Sequence, residues 1–225
     1  MHRPHATTSV RRQGGVTLVE LLVAMSILAV VTSMILMSWF ALQNSFAQTS
    51  RASHSREAAR DAVARMTQEI RDAQGSDQGA AITEATRWEI VFYSTYNMAG
   101  NAVTGSTPRQ TAFTLVPATS TTTGRIYRVV DANGNGVSDE LADPVNKGRL
   151  VVENVVNVDE NRSLFRYWYY SSSGAYTIAS SVADTETTNI RAVQIRVLVD
   201  LNPGKSPIYM DLKTTAQPRN LRPAT

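Results

Sequence analysis

Hydrophobic residues follow three successive patterns along the chain. From Leu21 to Ser50 there is no charged residue, and Leu21 to Leu42 is a 22-residue apolar run broken only by Ser26, Thr32, Ser33 and Ser38. That run approaches the roughly 20 residues a helix needs to cross hydrocarbon and exceeds the ~7–15 of a cleavable signal core. Downstream, Ala59, Val63, Met66, Ile70 and Ala73 recur at steps of four, three, four and three, with Arg56, Arg60, Asp61, Glu69 and Arg71 elsewhere. This is the spacing of a helix with one apolar face. No Pro or Gly lies between Val16 and Gln74, and Gly75 supplies a stop. One helix of some 58 residues, ~87 Å long, is therefore expected.

After Ser76 the period changes to two. Val193, Ile195, Val197, Val199 and Leu201 face one way while Gln194, Arg196 and Asp200 face the other. Similar runs occupy 88–93, 111–116, 125–130, 150–156, 164–170 and 208–212, separated by Gly, Pro, Asn and Ser clusters. Six or seven antiparallel strands on the second half of a long helix make an α+β fold. Phe165, Tyr167 and Tyr169 alternate with Leu164, Arg166, Trp168 and Tyr170, a pattern of core and cross-strand packing, with stacking on sugars or on a partner as the alternative. The Thr-rich stretch 104–124 suits a solvated hairpin and loop better than a glycosylated or adhesive segment.

Composition narrows the chemistry. The 225 residues include no Cys, which excludes disulfides, thiol catalysis and zinc–thiolate sites, and only His54 among three histidines lies beyond the apolar run. Catalysis is disfavoured, and an anchored hydrolase would depend on carboxylates that no motif pairs. The net charge of +3 is carried by Arg3, Arg11 and Arg12, without which 19 basic residues face 19 acidic ones. No nucleic-acid contact is expected of such a balanced remainder, whose basic residues show no clustering along the chain. The same arginines, placed before the span, predict a cytoplasmic N-terminus with the larger part exported. Removal at Ser45-Phe46-Ala47, a small-x-small site, would instead release a secreted domain.

Glu20 does not suit an inert anchor. A carboxylate at the mouth of an apolar run costs about 2.5–3.5 kcal/mol or more if unpaired, and no basic residue lies between Arg12 and Arg51. Its partner must come from upstream, from another molecule, or from an amine made by cleavage. The segment Gly14-Gly15-Val16-Thr17-Leu18-Val19-Glu20-Leu21-Leu22-Val23-Ala24-Met25 resembles the class III signal of type IV pilins and type II secretion pseudopilins. That resemblance implies cutting after Gly15 by a prepilin peptidase and methylation of Val16, which stands where phenylalanine is usual. It also implies that Glu20 assists docking into a filament, where stacked helices can neutralise each glutamate with a neighbour's terminal amine. Residues 60–73, 155–170, 190–199 and the closing Arg219-Asn220-Leu221-Arg222 look more loosely like PilW-type minor pilins and J-type minor pseudopilins. Such proteins associate with other minor pilins below a tip component, and prime assembly of the major pilin. The expected organisation is a leader (1–15), a transmembrane and filament-core helix (16–50), its amphipathic half (51–75) and a β-rich head (76–225). The head would be periplasmic before assembly and lie on a cell-surface pilus afterwards.

The loop Asp131-Ala132-Asn133-Gly134-Asn135-Gly136-Val137-Ser138-Asp139-Glu140 resembles the front of an EF-hand, with oxygen ligands at the first, third, fifth and ninth positions and glycine at the sixth. Asp131, Asn133, Asn135, Asp139 and the Val137 carbonyl would hold calcium. The twelfth position is Ala142, so Glu140 or Asp143 must supply the last carboxylate. A plain Asn/Gly turn is the alternative, and a calcium-binding anchored adhesin is the functional alternative to a pilin.

Overall fold

A computed structural model describes residues 15–75, 80–96, 108–120, 123–131, 138–203 and 207–219. Residues 1–49 and 50–225 form separate compact units. Helix α1, Leu18–Arg71, supplies most of the first and the opening of the second.

In the first unit the apolar side chains are exposed all around the helix, with Leu21, Ile27, Met34 and Phe40 each more than half accessible. The serine interruptions are satisfied internally. Ser26, Ser33 and Ser38 donate to the carbonyls of Leu22, Ala29 and Met34 at 2.8–2.9 Å, and Thr49 does the same to Ser45. A hydroxyl bonded to its own helix asks nothing of its surroundings, so these residues leave the run compatible with hydrocarbon.

In the second unit Ala59, Val63, Met66, Ile70 and Ala73 are all buried, as their spacing predicts. They meet one face of a nine-stranded antiparallel sheet. Its strands are β1 (Ile82–Ala85), β2 (Glu89–Ser94), β3 (Arg109–Val116), β4 (Gly124–Val130), β5 (Arg149–Val155), β6 (Phe165–Tyr170), β7 (Tyr176–Ala179), β8 (Ile190–Asp200) and β9 (Tyr209–Ala216). Short helices α2 (Ser138–Leu141) and α3 (Pro144–Lys147) join β4 to β5, and Leu141 covers Val91, Ala112 and Val129 on the opposite face of the sheet.

The order is β1-β2-β3-β4-β5-β8-β6-β7, with β9 also on β8. Strand β8 is the hub. Its inward residues Val193, Ile195, Val197 and Val199 are fully buried. One edge pairs with β9 from Val193 to Asp200, while the other is shared between β6, through Ile195, and β5, at Val199. At the junction Asn157 completes the ladder. Its Nδ2 donates to the carbonyl of Arg196 at 2.7 Å and its Oδ1 accepts from the N–H of Leu198 at 2.8 Å, so a side-chain amide stands in for a peptide. The β1–β2 turn is docked similarly: the buried Tyr167 hydroxyl lies 2.8 Å from the Thr86 carbonyl, and the Arg87 carbonyl accepts from Leu164 and Phe165.

Three expectations change. Glu69, read as lying off the apolar stripe, is buried at 1% exposure because Arg128 of β4 reaches it, Nε to Oε2, at 2.8 Å. The helix ends at Arg71 and not at Gly75: the Gln74 N–H is diverted to the Tyr93 carbonyl, drawing the chain onto the sheet. Strands β1 and β7 were not foreseen, since each has only four residues and too few alternations to register as a pattern.

Both Glu69 and Arg128 are essentially inaccessible, and burial raises the Glu69 pKa despite the arginine. Removing one partner strands the other charge. Arg128→Met should cost ~3–5 kcal/mol in urea unfolding, and Glu69→Leu added to it should recover much of that. On β2, burial and then the nearby Glu84 raise Glu89 from 4.5 to about 7. The fold thus favours its neutral form: the stability it contributes is complete below pH 4.5 and lost as pH rises through 7. Melting temperature should fall across that window, and Glu89→Gln should flatten the decline.

Candidate functional site

The N-terminal site is built by the start of α1. Gly15, Val16 and Thr17 precede the helix and are exposed. Thr17 is its cap: the Oγ1 accepts from the N–H of Glu20 at 3.2 Å, and its carbonyl accepts the first helical bond, from Leu21, at 3.1 Å. A threonine followed three residues later by glutamate is the capping-box spacing, so Thr17 and Glu20 together define where the helix begins. The sequence pattern held this signal, although Thr17 was read only as part of a family motif.

This geometry places the Gly15–Val16 bond in non-helical chain just outside the cap, and a Cβ built on Gly15 meets nothing within 4 Å. Glu20 lies in the first helical turn, where a negative charge is favoured by the unsatisfied N–H groups. Among the described residues no side chain of the chain pairs with it. The upstream Arg11 and Arg12 lie outside the described residues. Beyond Glu20 the helix is long and apolar enough to cross a membrane, by length and composition.

The second candidate lies between β4 and α3. Asp131 and Glu140, at 4% and 7% exposure, are buried at either end of the proposed calcium loop. Asn133, Asn135 and Val137 lie outside the described residues, as does the side chain of Asp139. Glu140 Oε2 is covered and has no hydrogen-bond partner among the described residues. Asp143, the other possible twelfth-position ligand, serves as the cap of α3 and accepts from the Asn146 side chain with both oxygens, at 3.0 and 2.9 Å. Among the described residues no group of three or more His, Asp or Glu is arranged to hold a metal ion.

Comparison with known families locates one match. Residues 10–36 match the prokaryotic N-terminal methylation motif, so the chain carries a prepilin-type signal of the kind found in type IV pilins and pseudopilins. The match spans both the Gly15–Val16 bond and Glu20. Such a signal implies processing by a prepilin peptidase, membrane anchoring through the apolar helix and incorporation with other pilins. No curated protein and no solved structure matches the chain.

Proposed function

We propose that this protein is a minor pilin, cut after Gly15, methylated on Val16, and inserted by its N-terminal helix into a type IV pilus whose assembly it helps to initiate near the tip. In this reading it is a structural subunit and not an enzyme. Residues 1–15 are a leader, 16–50 the membrane-spanning and filament-core helix, 51–75 its amphipathic half and 76–225 the head. Other minor pilins, the major pilin and a tip adhesin are its partners. The head faces the periplasm before assembly and the cell exterior after it.

The observation that carries the reading is the methylation motif placed on an exposed apolar helix whose Glu20 has no partner among the described residues. Cutting at Gly15 creates an amine on Val16, four residues from Glu20, and the amine of one copy is the natural counter-charge for the glutamate of the next. A minor pseudopilin of a type II secretion system uses the same N-terminal chemistry. The genes beside this one, pilus or secretion components, discriminate between them.

A calcium ion held by Asp131, Asn133, Asn135, Asp139, Glu140 and the Val137 carbonyl would stiffen the head. The buried Glu140 Oε2, without a hydrogen-bond partner among the described residues, supports that assignment, since a carboxylate oxygen without a hydrogen bond is costly unless a cation sits beside it. The same loop is what an anchored adhesin would carry.

Intact-mass and terminal sequencing of the protein from its native host should find a methylated Val16. A start at Gln48 would make it a secreted domain, and an uncut Met1 a plain anchor. Glu20→Ala should insert in the membrane normally yet enter filaments at a much reduced level, and normal incorporation would overturn the pairing argument. Asp131→Ala should lower the melting temperature in calcium while leaving it unchanged in chelator, whereas an equal drop in both would mark a plain turn.

A further inference from the structure

The two ends of the sheet differ in how their outward faces are covered. Over β2–β4 the face away from α1 is closed by Leu141. Over β7-β6-β8-β9 the side chains of Arg166, Tyr170, Tyr176 and Lys213 on this face are exposed, and the strand registers place a specific set of side chains there. Trp168 lies beside Ile178 and Ala192, Tyr170 beside Tyr176, Arg166 beside Gln194, and Arg196 beside Lys213.

This face has an aromatic end and a cationic end. Trp168 stacks on Tyr176 with centroids 6.0 Å apart, Tyr170 lies 5.1 Å from Tyr176, and the Arg191 guanidinium sits over Tyr170. Tyr170 and Tyr176 are 45% and 53% exposed, so two adjacent rings face solvent at this end. The other end is a cleft of about 690 Å³ lined by Arg162, Arg166, Arg196 and Lys213, with Asn161, Ser180 and Gln194 among them and no acidic residue in its lining. Asp211, beside the cleft, is bound bidentately by Arg196 and lies 3.6 Å from Lys213. Arg162 and Arg166 are exposed and have no ion-pair partner among the described residues. The basic residues that look dispersed along the sequence are gathered here by strand pairing.

We propose that this face binds an acidic oligosaccharide, its sugar rings stacked on Tyr170 and Tyr176 and its carboxylates held by Arg166 and Arg162. Each part of the chemistry has a counterpart on the face. Guanidinium forks match carboxylates in two-point hydrogen bonds, aromatic faces accept the C–H face of a pyranose, and the amide and hydroxyl side chains suit sugar hydroxyls. Tyr170 and Arg166 are four residues apart on one strand, ~13 Å, which requires an extended ligand of several rings and not a single anion. Nucleic acid is the competing polyanion. It gains affinity from many simultaneous phosphate contacts, but outside the N-terminal arginines the chain is balanced at 19 basic against 19 acidic residues. A small cationic cleft on a neutral head favours a sparsely charged sugar over a densely charged phosphate chain. This proposal is independent of the N-terminal reading.

The test is titration calorimetry of the full chain in detergent with hexagalacturonate, maltohexaose and a single-stranded hexathymidylate. Hexagalacturonate should bind, maltohexaose should bind much more weakly, and hexathymidylate should not displace the uronate. Arg166→Gln and Tyr176→Ala, both at exposed positions, should each weaken uronate binding by about tenfold or more with the fold retained by circular dichroism, while Lys147→Gln on α3 should have no effect. No uronate binding, equal binding of the neutral glucan, tighter binding of the oligonucleotide, or full affinity in both variants would overturn the proposal.

Discussion

The Glu69–Arg128 pair is the constraint on which the arrangement of helix and sheet in the second unit depends. It joins the last turns of α1 to β4, with both side chains out of water, and Arg128 Nη2 also lies 3.3 Å from the Tyr96 carbonyl. A buried charge pair contributes little net stability compared with an apolar pair of the same shape, but it penalises any arrangement that separates its members. Apolar contacts such as Met66 and Ile70 against the sheet tolerate a slide of the helix, and the ion pair does not. The neighbouring bonds support the same alignment: the Tyr96 hydroxyl donates to Asp72, and the Arg219 N–H returns to the Arg71 carbonyl.

The two portions of α1 illustrate how one element can be written in two codes. Before Ser50 the helix is apolar all round and its hydroxyls turn back on its own backbone. After Ser50 it carries a stripe that meets the sheet. Because Pro and Gly are absent from Val16 to Gln74, nothing in the backbone separates the two portions, and the difference lies entirely in the side chains. The residues of the methylation motif occupy the start of the first code, where Thr17 sets the boundary between extended chain and helix.

The helix, its apolar stripe and the seven longer strands were legible because each repeats its period several times. Val193 to Val199 alternates four times and is buried on the expected face. Glu69 was misread because a periodic pattern assigns charge to the surface, and only the fold brings in an arginine 59 positions later. Asn157 was silent for a related reason: its role as a peptide substitute depends on β5 and β6 meeting the same edge of β8. The glycine and glutamate of the N-terminal site were legible as local sequence, whereas the cleft of Arg162, Arg166, Arg196 and Lys213 was not, since its members come from a turn and three strands.

If the chain assembles as proposed, the back-bonded serines Ser26, Ser33 and Ser38 have a thermodynamic consequence. Lipid chains are as apolar as leucine side chains, so an apolar helix whose serines are already bonded to its backbone gains almost no hydrophobic free energy in passing from bilayer to helical bundle. A membrane-held and a filament-held form of this helix would then be nearly isoenergetic over its apolar surface. In the proposed assembly the balance would be tipped by the carboxylate of Glu20, worth about 2.5–3.5 kcal/mol in hydrocarbon, together with contacts between heads. In that proposed assembly, the apolar surface of the helix would set neither the direction nor the extent of the transfer.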